Sequence, residues 1–379
     1  MPIKRHVLQV IPALHGGGAE RSTIEVAEQL YCEGIQSSIA SSGGLLSNEL
    51  SRLNCMHYRL PLDSKNLITI VRNARRLTRI IRERGVNLIH VRSRAPAWSV
   101  LLASRSTGIP YISTFHGLYG HHNAAKRLYN SAMLRGVACI SVSEFIEKHI
   151  YQQYPWATNI KRINRGVDTE YFKPNDVSEQ YKSYEQKEKK GADQNFTLLF
   201  PARFTRLKGH ETLIAALRLI KDIQLNLILV GNSVGREAYL KALEQQFSEL
   251  PHRITVHDHQ TDLRPLYEQA DVVLSASRKP ESFGRTVVEA QAMQRLVIAP
   301  DQGANQDIIA PELQEGLFTV NDPRSLADAI RRLHALNPEQ KQEMVKAGRE
   351  HVKNKFQLQH MTEKTLERYE PIWPDSATT

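Results

Sequence analysis

Short apolar runs rich in β-branched residues alternate with segments of helical period along most of the chain. Apolar runs of this kind are typical of strands that are buried on both faces of a sheet. We predict strands at residues 7–14, 35–40, 88–91, 111–115, 137–142, 196–200, 225–230, 254–256, 272–275 and 296–298. Helices are predicted between them, among others at residues 19–30, 66–84, 95–106 and 212–220. This alternation predicts α/β domains in which helices cover parallel sheets.

One polar stretch interrupts the alternation. Residues 176–194 are highly charged and nearly free of aliphatic side chains, which indicates an exposed linker or a surface insertion. The 379 residues are enough for two domains of ordinary size. We therefore predict two doubly wound, Rossmann-like domains at residues 1–170 and 171–355, followed by a helical segment at residues 356–379.

The composition is that of a soluble globular protein, with 41% hydrophobic and 24% charged residues. Three cysteines without metal-ligand spacing argue against a disulfide framework and favour a reducing compartment. The apolar run after the basic N-terminus is short and leads into a glycine loop, so it indicates a first strand and not a signal peptide. No apolar run approaches the length of a membrane span. These features predict a cytoplasmic location.

The net charge of +10 is concentrated in the first half of the chain. Residues 1–165 contain 22 Lys and Arg against 9 Asp and Glu, whereas the remaining residues contain 28 against 31. One face of the predicted helix at 66–84 is apolar and consists of Leu67, Ile70, Val71, Ala74, Leu77 and Ile81. The opposite face carries Arg72, Arg75, Arg76, Arg79 and Arg82. This basic face fits either a solvated helix surface or a peripheral contact with anionic membrane lipid.

The most informative stretch is a strand, a loop and a helix between residues 271 and 293. Gly284 in the loop allows the backbone to approach a ligand closely, and Ser282 or Thr286 is placed to cap the helix. The start of such a helix suits a phosphate. Two carboxylates, Glu281 and Glu289, lie at the ends of the loop and the first helical turn. They suit the hydroxyls of a sugar and a ribose, although a solvated cap and a partner for an arginine explain this spacing equally well.

Three other loops carry candidate chemistry. Arg203 and Lys208 bracket a loop between a strand and a helix, which suits a diphosphate or, alternatively, two surface cations. His116 follows the strand at 111–115, where ligand-binding residues or structural histidines are found. The glycines at 16–18 allow an anion to approach the start of the first helix, but they do not form the dinucleotide-binding fingerprint.

The run Glu281-Ser282-Phe283-Gly284, with Glu289 completing it, resembles the Glu-(seven residues)-Glu signature of retaining, nucleotide-sugar-dependent glycosyltransferases of family four. The resemblance extends to Thr114-Phe115-His116-Gly117, to residues 163–174 and to the segment from Arg203 to His210. It implies the GT-B architecture, in which two Rossmann-like domains face a cleft. It also implies that the first domain binds the acceptor, that the second binds the nucleotide sugar, and that the last helix crosses back to the first domain.

The resemblance also implies a role for each matching residue. Glu281 contacts the donor sugar, Glu289 holds the ribose, and Arg203 with Lys208 stabilises the leaving diphosphate. The predicted catalytic residues are Glu281, His116, Arg203 and Lys208. The predicted donor-binding residues are Gly16, Gly17, Gly18, Arg203, Lys208, Glu281, Ser282, Phe283, Gly284 and Glu289. No Asp-x-Asp pair is present, so no metal ligand is predicted, and the nucleotide diphosphate sugar is a co-substrate and not a cofactor.

The implied reaction is the transfer of a hexose, with retention, to a glycan or lipid-linked acceptor. The basic first domain fits an anionic acceptor in bacterial lipopolysaccharide or surface polysaccharide synthesis, at the cytoplasmic face of the inner membrane. Asp258 stands where the family usually has a glycine near the base, so the donor base stays open. A nucleotide-sugar epimerase or a phosphorylase of the same architecture is the alternative. A nucleic-acid-binding protein is a further alternative, but the chain lacks a recognition motif for that class.

Overall fold

The computed structural model describes residues 5–120, 123–175 and 196–373. It divides the chain into two compact units. Unit 1 comprises Met1–Gly166 and Leu358–Thr379, and unit 2 comprises Val167–Gln357. These limits differ by a few residues from the domain boundaries expected at 170 and 355. The predicted linker at 176–194 lies outside the described residues.

Unit 1 contains a seven-stranded parallel sheet with the strand order β3-β2-β1-β4-β5-β6-β7. Its strands are β1 (His6–Val10), β2 (Gln36–Ser41), β3 (Met56–Arg59), β4 (Leu88–Val91), β5 (Tyr111–Phe115), β6 (Ala138–Ser141) and β7 (Ile160–Arg162). Its helices before residue 166 are α1 (Gly18–Cys32), α2 (Leu67–Arg84), α3 (Arg94–Thr107), α4 (Ala124–Ser131) and α5 (Glu144–Gln153). Every residue of the central strands β1, β4 and β5 is buried, which explains why these strands lack polar alternation.

Unit 2 contains a six-stranded parallel sheet with the order β10-β9-β8-β11-β12-β13. Its strands are β8 (Phe196–Pro201), β9 (Leu225–Val230), β10 (Arg253–His257), β11 (Val272–Leu274), β12 (Leu296–Pro300) and β13 (Leu317–Phe318). Its helices are α6 (His210–Leu219), α7 (Glu237–Phe247), α8 (Arg264–Gln269), α9 (Arg285–Ala292), α10 (Asn305–Ile308), α11 (Pro323–His334) and α12 (Pro338–Lys355).

The last helix, α13 (Leu358–Tyr369), packs within unit 1. Met361 and Trp373 share a buried cluster with Val7 and Val26 from β1 and α1. The hydroxyl of Tyr369 lies 2.6 Å from Nδ1 of His90 on β4. The C-terminal segment therefore completes the core of the unit that contains the N-terminus.

Helix α2 packs on α3 with a narrower apolar face than we predicted. Ile70, Ala74 and Leu77 are buried as expected. Leu67 and Val71, which belong to the same apolar face, are exposed, with fractions of 78% and 45%. Leu67 lies in the first helical turn, before the covered part of the helix, and Val71 points away from the buried stripe. In the described part of the chain, no helix is long and apolar enough to span a membrane.

The two sheets have the same topology, and this topology indicates where a ligand can bind. In each sheet the chain moves outward from the first strand in one direction and then returns to extend the sheet on the other side. The direction reverses between β1 and β4 in unit 1, and between β8 and β11 in unit 2. Ligands of doubly wound sheets bind at such switch points, outside the carboxyl ends of the strands.

Candidate functional site

The loops after β8 and β11 flank the switch point of unit 2, and they bring the predicted residues together. Nζ of Lys208 lies 2.5 Å from Oε1 of Glu281. The hydroxyl of Ser277 donates to the same oxygen at 2.5 Å and lies 3.3 Å from Nζ of Lys208. Oε2 of Glu281 has no hydrogen-bond partner among the described residues. A cation and a carboxylate thus meet at one point, with one carboxylate oxygen left to accept from a ligand.

Glu281 is held in its ionised form. Burial raises the pKa of its carboxyl, but the charge of Lys208, the hydrogen bonds from Lys208 and Ser277, and the charge of Arg203 outweigh burial and leave the pKa lowered. The side chain of Arg203 is exposed, and within the described residues its guanidinium makes no hydrogen bond or ion pair. The site therefore combines an ionised carboxylate with a guanidinium that is open to an anion.

Hydrogen bonds to the backbone fix the loop that carries Glu281. The side chain of Gln302 donates to the carbonyl of Ser277 at 2.8 Å, and the amide of Ala304 donates to the carbonyl of Glu281 at 3.0 Å. A side chain at Gly303 would lie 2.8 Å from the same carbonyl oxygen of Glu281, so the two loops touch through their backbones. The position of Glu281 is thus set by β11 and by the loop after β12.

Helix α9 begins at this loop without a side-chain cap. The prediction that Ser282 or Thr286 caps the helix was wrong, because Gly284 is the N-cap residue, with φ of 69°. Phe283 is buried and packs against Phe356, with ring centroids 5.8 Å apart. Among the described residues no side chain forms a capping hydrogen bond to the first turn, so amides of that turn are left to bind an anion.

Glu289 lies one turn into α9 and is almost fully buried, with 8% of its side chain exposed. Its Oε1 accepts from Nε of Arg285 at 2.7 Å, and its Oε2 accepts from the hydroxyl of Tyr267 at 2.8 Å. The sequence left two interpretations of Glu289, a ribose contact or a partner for an arginine. The structure shows the arginine partner, which is Arg285. Each carboxylate oxygen can accept a second hydrogen bond, so this pairing does not use the full acceptor capacity of Glu289.

In unit 1, the glycine loop at the start of α1 is already paired with a carboxylate. Glu20 accepts from the amide of Gly16 at 2.6 Å and from the amide of Gly17 at 3.0 Å. Gly18 opens the helix, and a side chain there would lie 2.7 Å from Nη1 of Arg165. A ligand that uses the first two amides must therefore displace the Glu20 carboxylate.

His116 follows β5 and contacts Arg165, with Nδ1 of the imidazole 2.6 Å from Nη2 of the guanidinium. Burial lowers the pKa of His116 well below its ordinary value, and the charges of Arg165 and Arg92 lower it further. Arg92 is buried at the end of β4 and donates to the hydroxyl of Ser22 at 2.6 Å. The strand ends of unit 1 thus carry positive charge around a neutral histidine.

Two residues that the sequence did not identify contribute to these sites. Ser277 links Lys208 to Glu281, and Arg165 contacts His116. Ser277 lies four residues before Glu281, so its position beside the strand end was a usable signal. Arg165 is separated from His116 by 49 residues, and no pattern in the sequence connects them.

The residues of unit 2 fit an anionic ligand better than a cation, because Arg203, Lys208 and the start of α9 all offer positive charge. Within the ranges that the structure describes, no group of three or more His, Cys, Asp or Glu residues is placed to hold a metal ion. This geometry suits an anionic ligand that also carries groups able to donate hydrogen bonds to Glu281.

Comparisons with known proteins give a family for both halves of the chain. Residues 182–351 match the family model described as Glycosyl transferases group 1. Residues 16–171 match the model described as Glycosyltransferase Family 4. A glycosyltransferase from Rickettsia africae, known from its crystal structure, is 35% identical with a TM-score of 0.86, over 97% of this chain and 98% of that chain.

Two further similarities extend the comparison. HepE from Anabaena, solved in complex with UDP-glucose, has a TM-score of 0.80 at 20% identity, over 97% of this chain and 99% of that chain. The alpha-maltose-1-phosphate synthase of Mycolicibacterium smegmatis is 25% identical over 298 residues, which are 72% of this chain and 75% of that protein. The two parallel-sheet units and these structural neighbours confirm the predicted GT-B fold.

Proposed function

The chain belongs to the glycosyltransferases, and we propose that it moves a hexose from a nucleotide diphosphate sugar to a glycan or lipid-linked acceptor, with retention at the anomeric carbon. The observation that carries the proposal is the contact of Lys208, Ser277 and Glu281 at the switch point of unit 2. Loops after two neighbouring strands supply opposite charges there, as a ligand with a diphosphate and a sugar requires.

We assign the leaving diphosphate to Arg203, Lys208 and the amides at the start of α9. Negative charge develops on the diphosphate as its bond to the sugar breaks, and fixed cations and amide dipoles stabilise that charge. The charge on the two side chains takes the place that a divalent cation has in other transferases, so we propose that the reaction is metal-independent. The exposed guanidinium of Arg203 supports this assignment because it has no partner within the described residues.

We assign the sugar to Glu281 and the ribose to Glu289. The lowered pKa of Glu281 keeps it ionised, so its Oε2 accepts hydrogen bonds from sugar hydroxyls. We do not assign Glu281 as a covalent nucleophile, because its Oε1 is already bound by Lys208 and Ser277. In unit 1, we propose that His116 donates to a sugar hydroxyl, and that the loop from Gly16 to Gly18 adjoins the donor.

We propose an anionic acceptor, such as a phosphorylated lipopolysaccharide core or a lipid-linked glycan. The excess of Lys and Arg in residues 1–165, 22 against 9 acidic residues, supports it. A relative in the comparisons is named for a phosphorylated sugar, alpha-maltose-1-phosphate. The exposed arginines of α2 support a location at the cytoplasmic face of an anionic membrane.

A panel of UDP-, GDP- and ADP-sugars tests the function. Thermal shift measures donor binding, and release of free nucleotide with the acceptor candidates and EDTA present measures turnover. We expect Arg203→Ala and Lys208→Ala each to lower turnover by about 10²- to 10³-fold, the usual effect of removing one group that stabilises transition-state charge.

Arg206→Ala is the matched control, since Arg206 is an exposed arginine of the same loop. We expect its turnover to stay close to that of the native protein. Full turnover by the Arg203→Ala, Lys208→Ala double variant would contradict the assigned site. Loss of turnover with EDTA, restored by Mg²⁺, would contradict metal independence.

A further inference from the structure

The imidazole of His116 has one occupied nitrogen and one that lacks a partner. Nδ1 lies 2.6 Å from Nη2 of Arg165. Nε2 is enclosed by protein atoms and has no hydrogen-bond partner among the described residues. A polar atom that is removed from water without a partner costs about 1–3 kcal/mol, so a hydrogen bond to a ligand atom at this strand end would stabilise the complex.

The contact with Arg165 decides which nitrogen carries the proton. A guanidinium has only N–H donors, so Nδ1 of His116 must accept this hydrogen bond. A neutral imidazole has one ring proton, which then resides on Nε2. Arg165 thus selects the tautomer whose unpartnered nitrogen is a donor.

We infer that Arg165 is a positioning residue, which holds His116 in the Nε2–H tautomer so that Nε2 donates a hydrogen bond to a hydroxyl oxygen of the transferred sugar. This inference rests on the proposed function, since the hydroxyl belongs to the donor sugar. Arg165 does not touch the substrate in this role. Its contribution is to fix the ring orientation and the site of the ring proton.

The groups that face His116 all keep it neutral. Burial lowers the pKa of His116 most, the charges of Arg165 and Arg92 lower it further, and a protonated His90 would lower it in the same direction. Tyr119 also faces His116 and contacts its backbone. A ring that stays neutral can donate from Nε2 throughout the physiological pH range, and it does not add a further charge beside the two arginines.

A residue without a side chain makes room for this arrangement. A Cβ atom at Gly18 would lie 2.7 Å from Nη1 of Arg165, which is closer than van der Waals contact. Gly18 is the first residue of α1. The glycine at this position is therefore explained by the neighbouring guanidinium, besides any approach of a ligand.

Long-range ¹H–¹⁵N spectra of the full chain, labelled with ¹⁵N-histidine, test the tautomer directly. His116→Gln identifies the signals of His116. We expect the native ring to show the Nε2–H pattern without change from about pH 8 to about pH 5.5. In Arg165→Leu the ring should populate both tautomers and become protonated at higher pH, whereas Arg165→Lys, which keeps a donor, should restore much of the native pattern.

Gly18→Ala should change the tautomer of His116 in the same way as Arg165→Leu. It displaces the guanidinium of Arg165 without removing its charge. Arg162→Leu is the matched control, since Arg162 lies on the same segment but pairs with Glu144. A native ring protonated on Nδ1 would overturn the inference. It would also be overturned if the His116 spectra of well-folded Arg165→Leu and Gly18→Ala matched those of the native chain.

Nucleotide release, with UDP-glucose as the first probe from the panel, tests the consequence for the reaction. For Arg165→Leu we expect kcat/KM to fall about ten- to a hundredfold, and its pH profile to lose activity in acid where the native profile stays flat. Donor affinity by thermal shift should fall as well, because the lost hydrogen bond is made to the bound donor sugar. An unchanged kcat/KM and pH profile would overturn the role of Arg165. If no panel sugar is turned over by the native chain, the proposed function fails, whereas the spectra still decide the tautomer.

Discussion

A single glycine sets the position of Lys208, the cation that we propose to bind the diphosphate. Gly209 follows Lys208 directly, has φ of 79°, and is the N-cap residue of α6. A Cβ atom at Gly209 would lie far inside van der Waals contact with the carbonyl oxygen of Ala276, the residue before Ser277. The two loops that carry Lys208 and Glu281 therefore touch through their backbones at this point, which brings the two side chains within hydrogen-bonding distance.

We expect Gly209→Ala to destabilise unit 2 by about 3 kcal/mol or more, because left-handed strain of about 1–2 kcal/mol adds to a backbone overlap. Far-UV circular dichroism during urea unfolding measures the change. Gly235→Ala is the matched control, since Gly235 also has a positive φ, of 71°, but open space around it. The control should lose only about 1 kcal/mol. Equal losses in the two variants would mean that the loop contact contributes nothing.

At the scale of elements, helix α2 combines a buried apolar stripe with an exposed surface that carries both arginines and apolar side chains. Its basic face, Arg72, Arg75, Arg76 and Arg79, is exposed. Its first turn adds Leu67 and Ile68, whose exposed fractions are 78% and 71%. Exposed apolar side chains beside a row of arginines are a combination that binds the surface of an anionic bilayer. Contact of α2 with an anionic membrane therefore stays a prediction, which vesicle binding can test.

We expect replacement of the four arginines of the basic face by serine to abolish binding to vesicles that contain anionic phospholipid. Each Lys or Arg near such a surface contributes about 1 kcal/mol. Co-sedimentation with vesicles measures the binding, and added salt should weaken it for the native chain.

A control with the same loss of charge removes Lys241, Arg253, Lys346 and Lys355 from the exposed surface of unit 2. This variant should still bind the vesicles. Vesicle binding that survives the α2 substitutions, or that falls equally in both variants, would remove α2 as the membrane contact.

At the scale of the whole molecule, buried neutral histidines make stability depend on pH. Burial lowers the pKa of His90 and of His116 in unit 1 well below the ordinary value of 6.5. Burial also lowers the pKa of His210 in unit 2 to about 4. Between about 6.5 and the lowered value, the unfolded chain binds a proton that the folded chain does not. The free energy of unfolding therefore has its full value above about pH 6.5 and falls as the solution becomes more acidic.

We expect both units to lose stability from about pH 7 to about pH 5, by up to ~1.4 kcal/mol per pH unit for each such histidine. Urea unfolding followed by tryptophan fluorescence reports on unit 1, where Trp98, Trp156 and Trp373 all lie. Circular dichroism reports on both units. His210→Leu should flatten the pH dependence of unit 2, whereas replacement of the exposed His259 should not. A stability that stays constant or rises toward pH 5 would contradict this account.

The sequence predicted the interior strands well and the edges poorly. The bounds of β4, β5 and β9 agree with the prediction to the residue, because strands that are buried on both faces are predominantly apolar. The strands β3, β7 and β13 were not predicted. β3 and β7 lie at sheet edges with exposed, polar residues, and β13 has only two residues, so none of them leaves an apolar run.

In the candidate site, too, some features could be predicted from the sequence and others could not. The motif around Glu281 and the cations at 203 and 208 could be read from residue types and local spacing, because loops after strands are where ligands bind in such sheets. The pairing of Glu289 with Tyr267 and the contact between Arg165 and His116 could not. Each depends on the distance and direction between side chains from different loops or helices.

The sequence by itself therefore determined the two α/β domains, the buried interior strands and the loops that carry the candidate residues. Hydrophobic periodicity and glycine placement act locally along the chain, so they can be read without the tertiary structure. Only the tertiary structure decided which nitrogen of His116 is a donor, which oxygen of Glu281 is open, and that Glu20 occupies the glycine loop. These features depend on packing between segments that are far apart in sequence, and burial there sets both hydrogen bonds and protonation.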